Sequence, residues 1–290
     1  MTEPRHCPWH GSYSAGGEPV PGALRMGLRP IDEADWLPPA DDAQARAADR
    51  AARLARDPDA HFACPPDAQD AAREVLKLLA AHTRRPPDPA ELADPLRAAA
   101  ARVPDDLCLL SPEDPPRLRA AVLTAASSWR LCDKLNQDLT AIHAPVPELN
   151  ARLGARMRDF MARMPADRIF ERANWFLYDD GAWDRSEGEA LGRIPPALGT
   201  EPAVAEQLWL RMERQTLRRL PETGWLLFTI RIHRHPVTEL ARHPRLAAHL
   251  RTAMASLDAT ERRARRLDLV GPGLDAWLAS VAAPHTEARA

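Results

Sequence analysis

Apolar positions along this chain change period twice. Before residue 105 the spacing is helical. Asp41–Arg56 carries helix formers behind an acidic cap, and Asp67–His82 sets Val75, Leu76, Leu78 and Leu79 at helical intervals. Glu91–Val103 predicts a third helix, with proline-rich breaks at Pro38-Pro39 and Arg84–Pro89. After residue 105 the runs shorten. Asp106–Leu110 and Arg117–Thr124, joined by Ser111-Pro-Glu-Asp-Pro-Pro116, predict a hairpin. Helical spacing returns over Trp129–Leu139 and Glu148–Met164. The β-branched and aromatic run Arg168–Tyr178 then predicts a strand stopped by Asp179-Asp-Gly181. Leu208–Leu220 and Trp225–His233 flank Pro221-Glu-Thr-Gly224, a second hairpin, and Arg245–Leu267 and Leu274–Val281 close the chain as helix.

Strands and helices are thus segregated, which predicts an α+β class: five antiparallel strands with crossover helices over one face, the plan of a PAS-like domain with a pocket between sheet and helices. The corresponding divisions are a flexible segment 1–23, a helical extension 24–104, a core 105–240 and a C-terminal helical segment 241–290.

Composition adds limits to this picture. The 29 prolines among 290 residues restrict long helices to a few places, and a formal charge of −2 disfavours nucleic acid as a partner. The longest apolar run, Gly224–Ile230, is far short of the ~20 residues of a membrane span. The N-terminus lacks the basic start and apolar centre of a secretory signal. A soluble, cytoplasmic protein with no membrane partner is expected. The four cysteines, Cys7, Cys64, Cys108 and Cys132, form no Cys-x-x-Cys pair, and three are expected to pack as small apolar residues. Glycine-rich dinucleotide and phosphate loops, His-Glu-x-x-His and Gly-x-Ser-x-Gly are all missing. Redox chemistry would therefore take its electrons from another chain.

Three places hold candidate chemistry. His143 lies in Ile142-His-Ala-Pro-Val-Pro147, where prolines fix the backbone; it suits an axial metal or haem ligand, or a helix-end imidazole bonded to a carbonyl. In Arg172-Ala-Asn-Trp175, alternation puts Arg172 and Asn174 on one face of a strand and Trp175 on the other, a small polar site or an ordinary sheet surface. Residues 207–235 hold six arginines against two glutamates, with charge on both faces of one strand. At least one of those faces must meet an anion, a buried carboxylate or a partner. His233 and His235 are read as strand-end residues at the solvent edge, and His243 and His249 as surface.

These motifs, with Met26-Gly-Leu-Arg-Pro-Ile-Asp32, Asp106–Leu110, Ser128-Trp-Arg-Leu131, Glu213-Arg-Gln-Thr-Leu-Arg-Arg-Leu-Pro-Glu-Thr-Gly224 and Phe228-Thr-Ile-Arg231, occur in an order that resembles the haem-dependent oxidative N-demethylase alpha subunits, over residues 24 to 250. The resemblance implies a PAS-like fold holding haem b. It also implies oxidation of a small secondary amine such as dimethylamine to the primary amine and formaldehyde. Electrons would come from NADPH through flavin mononucleotide and a 2Fe–2S centre on a partner reductase, and a tetrahydrofolate-binding subunit would capture formaldehyde. Carried onto this sequence, it makes His143 the axial haem ligand. Asn174, Glu213, Arg214 and Thr229 become distal-pocket candidates, and Arg172, Trp175, Arg218 and Arg231 haem-binding ones. The alternative is a haem-binding gas or redox sensor without turnover. Residues 151–172, with six arginines against three acids, are the expected landing site for an acidic iron–sulfur domain.

Overall fold

A computed structural model of the chain describes residues 27–144, 147–188 and 190–282. The segment 1–23, expected to be flexible, lies outside the described residues, as do Pro145 and Val146 of the His143 motif. The strand-like runs assemble into one antiparallel sheet: β1 (Arg29–Ile31), β2 (Phe62–Ala63), β3 (Asp106–Leu110), β4 (Leu118–Val122), β5 (Ile169–Tyr178), β6 (Trp209–Arg219) and β7 (Leu226–Pro236). Their spatial order is β1-β5-β6-β7-β3-β4-β2.

The class is α+β, as the segregated pattern predicts, but among the described residues the sheet has seven strands, not five. The two additions are edge strands of three and two residues, too short to leave an alternation in the sequence. The helices are α1 (Ala43–Arg56), α2 (Pro58–His61), α3 (Gln69–His82), α4 (Pro95–Ala100), α5 (Leu131–Lys134), α6 (Leu139–Ile142), α7 (Pro147–Arg163), α8 (Pro244–Ser256), α9 (Ala259–Ala264) and α10 (Leu267–Ala282). Among the described residues no helix is long and apolar enough to cross a membrane.

Two helical expectations are corrected. Trp129–Leu139 is not one helix. Asn136 takes a left-handed φ of 63°, its N–H donates to Leu118 O at 2.7 Å, and Gln137 O accepts from Leu118 N–H at 3.0 Å. Main-chain pairing to the start of β4 outcompetes the helix there. Arg245–Leu267 is also broken, because Asp258 and Glu261 form a capping box that starts α9 afresh.

The long β5–β6–β7 meander gives the sheet two covered faces. One is closed by the crossover from β4 to β5. Here Leu153, Met157, Phe160 and Met161 of α7, with Met164 just past its end, recur at helical spacing and pack on Phe170, Leu217, Leu226 and Phe228. Arg219 ends α7 by donating Nε to Met164 O at 2.9 Å, a cation on the last carbonyls of a helix. The opposite, terminal face is closed by α3, α4 and Trp36 at one end, and by α8 and α10 against Trp175, Leu177, Leu210 and Met212 at the other. Gly224, at φ +73°, completes the β6–β7 turn. Glu74 of α3 binds that turn with its carboxylate, accepting from the backbone N–H of Glu222 at 2.7 Å and of Thr223 at 2.9 Å.

Candidate functional site on the crossover face

His143 follows the last residue of α6, whose first turn is capped by the Asp138 carboxylate accepting from Ala141 N at 2.9 Å. The short helix is tied on both sides. Lys134 Nζ donates to Ile142 O, and Asn150 Nδ2 of α7 donates to Thr140 O at 2.8 Å. The imidazole is half-buried, and its Nδ1 is enclosed without a hydrogen-bond partner among the described residues. Burial, first, and then the nearby Arg172 guanidinium hold its pKa below the ordinary value, so the ring is neutral. A neutral imidazole is the form that binds a metal.

The β5–β6 ladder sets what shares this face. Arg172 pairs with Gln215, and Asn174 with Glu213 one rung further on; Ile230 and Ile232 of β7 continue the two rungs. Arg172 has no hydrogen bond or ion pair to any described residue, and its Nε is buried and unpartnered. Burial lowers its pKa, Glu213 raises it, and Arg265 lowers it again. Glu213 is 9% exposed, and among the described residues its one side-chain hydrogen bond comes from Gln215 Nε2 to Oε2 at 2.9 Å. Asn174 Oδ1 accepts from Trp175 N and from Arg265, while its Nδ2 has no acceptor among the described residues. The structure therefore brings four of the sequence candidates, His143, Arg172, Asn174 and Glu213, to one face.

It carries the other five to the opposite face. Arg231 is ion-paired to buried Asp105 at 2.6 Å and donates to Pro38 O at 3.0 Å. Arg214 pairs with Glu171 and donates to Trp36 O at 2.7 Å and Asp35 O at 2.6 Å. Arg218 pairs with Glu33 at 2.7 Å and lies 4.7 Å from the Trp36 ring. Thr229 shares a hydrogen bond with Thr216 at 2.7 Å, and Trp175 belongs to the core under α8 and α10. The anions that the arginine-rich strands demanded are Glu171, Asp105 and Glu33. These arginines strap the segment Glu33–Pro38 across the sheet.

Other side chains depart from their sequence reading. His233 is partly buried on the terminal face rather than at a solvent edge; desolvation, then Arg231, His235 and Arg214, push its pKa down to about 3. His235 pairs with Glu239 at 3.0 Å. His243 and His249 are exposed, as expected. Cys108 is packed in the core and Cys64 half-buried, but Cys132 is exposed. In the basic stretch 151–172, Arg156, Arg158, Arg163 and Arg168 are exposed, whereas Arg172 is turned inward to the site.

Two further residues of this face were not among the site candidates. Arg211, 2% exposed, donates to Ser127 Oγ at 2.7 Å and to the carbonyls of Ala125 at 2.7 Å, Ala126 at 3.1 Å and Ala182 at 3.1 Å. Strand alternation already sets it on the face of Glu213, two residues earlier, as one of the six arginines of 207–235. Arg265 comes from outside the sheet, and no local pattern marks it.

A half-buried neutral histidine near a guanidinium with no partner among the described residues, with His143 Nδ1 and Arg172 Nε both enclosed, is costly without a ligand. A family model described as haem-dependent oxidative N-demethylase, alpha subunit-like, matches residues 81–272, a span that holds α5–α7, the whole β5–β6–β7 meander and Arg265. That match covers well over half of the chain, which belongs to the haem-dependent oxidative N-demethylase, alpha subunit-like family.

Proposed function

We propose that this chain is the haem-binding, oxygen-activating subunit of an oxidative N-demethylase acting on a small secondary amine such as dimethylamine. The observation that carries the reading is a pair of enclosed, unpartnered nitrogens on one face, His143 Nδ1 and Arg172 Nε, the latter in a guanidinium with no hydrogen bond or ion pair among the described residues. An imidazole kept neutral and anchored from both sides fits an axial ligand, and a buried cation without an anion fits a propionate carboxylate. The residues present thus fit haem. The connectivity supports a PAS-like plan as well, since the β3–β4 hairpin, the α5–α7 crossover and the β5–β6–β7 meander return β7 to the side of β3.

Haem b held by His143 would supply the iron at which dioxygen is activated. The chain's own residues do the rest. Arg172 neutralises a propionate. Asn174 Nδ2, free of protein acceptors among the described residues, donates to negative charge developing on oxygen. Glu213, largely enclosed, accepts a hydrogen bond from the substrate N–H and turns one N-methyl group toward the reacting oxygen. One oxygen atom enters the N-methyl C–H bond. The other leaves as water, with two electrons and two protons supplied by NADPH and solvent. The resulting carbinolamine separates into primary amine and formaldehyde.

Electrons reach the site from a reductase carrying flavin mononucleotide and a 2Fe–2S centre, and a tetrahydrofolate-binding subunit receives the formaldehyde. The reductase docks on the exposed face of α7. There Arg156, Asp159, Phe160, Arg163, Met164 and Pro165 line a surface groove of about 370 Å³. Reduction rates should fall as ionic strength rises; rates insensitive to salt would reject that docking face.

The test of the function is the absorption spectrum of the purified protein, loaded with haem, before and after reduction and then with dimethylamine. A Soret band that moves on reduction and again with the amine supports the reading, as does altered ligation in His143→Ala. A protein that takes up no haem overturns it. A haem band indifferent to amines favours a gas or redox sensor.

A further inference from the structure

β1 pairs only with Ile169–Glu171, so among the described residues Arg172–Tyr178 of β5 have a strand neighbour on the β6 side alone. That open edge is crossed by Arg265, from the link between α9 and α10. Its guanidinium lies 5.1 Å from the Trp175 ring centroid on one side of the sheet and 5.6 Å from that of Phe176 on the other. Nη2 donates to Asn174 Oδ1 at 3.1 Å, and the Trp175 backbone N–H donates to the same oxygen at 2.9 Å. A guanidinium and a backbone N–H can only donate, so the amide must offer its oxygen to both. Its Nδ2 then points away from them, and no described residue accepts from it. The same guanidinium is close enough to Arg172 to act on its charge.

We propose that Arg265 is a positioning residue of the crossover-face site. It reaches round the sheet edge from the C-terminal helices and pins the Asn174 amide oxygen, so that the Nδ2 donors stay turned toward the face shared by Arg172 and Glu213. The inference rests on the function proposed above, for which Asn174 serves as donor to the reacting oxygen. It adds that the C-terminal segment, outside the sheet, completes the site. The alternative role, a cation stacked on Trp175 and Phe176 only to hold α9 and α10 in place, makes different predictions.

Arg265→Met keeps an unbranched chain over both rings and removes the donors; Arg265→Lys keeps a donor and the charge. In the unloaded full-length protein, the Asn174 side-chain amide resonance, identified by its loss in Asn174→Ala, should shift in Arg265→Met and return toward its native position in Arg265→Lys. In the haem-loaded protein, the C–O stretch of the ferrous carbonyl complex should move the same way in Arg265→Met and Asn174→Ala. The double variant should go no further than Asn174→Ala alone. Turnover of dimethylamine should fall about tenfold in kcat with KM little changed, the scale of one lost hydrogen bond to developing charge. An Asn174 amide resonance and a carbonyl stretch both unmoved in Arg265→Met would overturn the proposal, as would shifts that simply add in the double variant. If Arg265→Met fails to fold, Arg265→Gln, too short to reach Asn174, takes its place. A protein that binds no haem defeats the function proposal alone, because the amide resonance of the unloaded protein still decides the role of Arg265.

Discussion

The two faces of the β5–β6–β7 meander are built from the same residue types, one position apart, and they treat charge in opposite ways. On the terminal face Arg214, Arg218 and Arg231 each meet a carboxylate, and Arg214 and Arg231 also donate to carbonyls of the segment Asp35–Pro38. Among the described residues of the crossover face, Arg172 has no ion pair, Arg211 donates only to a hydroxyl and three carbonyls, and Glu213 is met by a neutral amide. Removing a charge from water costs several kcal/mol unless a partner restores it. The terminal face recovers that cost in stability. The crossover face leaves it open, and a ligand carrying a carboxylate and an iron would recover it. Arginine content therefore says little about where function lies; the pairing of each arginine says much more.

The sharpest way to break this contrast is at Asp105, which is 0% exposed and holds Arg231. Asp105→Ala should cost about 3–5 kcal/mol, because it strands a buried guanidinium; a urea midpoint near the parent value would show the pair to be idle. Acid should come next. His233 has a folded pKa of about 3, below its unfolded value, so the unfolded chain binds the extra proton and stability falls as the pH drops below about 6.5. The loss at pH 5 should be on the order of 2 kcal/mol. His143, also depressed, acts in the same direction. Urea melts of His233→Gln across pH 5–8 should be flatter than those of the parent. Arg214→Met should cost about 1–3 kcal/mol by releasing two carbonyls and Glu171. The smallest effect is the most telling. Arg172→Met should leave the unloaded protein as stable as the parent or more so, while weakening haem retention. A loss like that of Asp105→Ala would place Arg172 among the structural arginines.

Much of this arrangement is legible in the residues. The alternation through Arg168–Tyr178 and Leu208–Leu220 gives the long strands within a few residues, and the Pro221–Gly224 turn gives their pairing. Asn174 and Arg172 fall on one face by counting in twos. What a strand pattern cannot state is which face lies under the crossover helices. Hence Arg214, Thr229, Arg218 and Arg231 stood beside Glu213 as candidates, although they point the other way. The choice depends on Glu171 and Asp105, whose roles as buried anions appear only once the chain is folded. Arg46 and Arg50, at i and i+4 on α1, are a similar case. They look like a solvated helix surface but lie inward, Arg46 on Asp106 and Thr124 at 2.6 Å each and Arg50 on Val103 O at 2.7 Å and Asp105 O at 2.6 Å. Arg265 was invisible for another reason: its partner lies 91 positions away, across a sheet edge.

The grip of Glu74 on the Glu222–Thr223 turn has a consequence for chemistry it never touches. Side chains of a strand alternate, so the identity of a face is a matter of parity: moving β6 by one residue against its neighbours would exchange the two sides outright. Glu213 would leave the site, and Arg214 would enter it without Glu171, adding a second bare cation beside Arg172. A shift by two would preserve the sides and only displace the rungs. The carboxylate on α3 holds the turn from which that count begins, so this remote contact keeps odd and even positions of β6 from trading places.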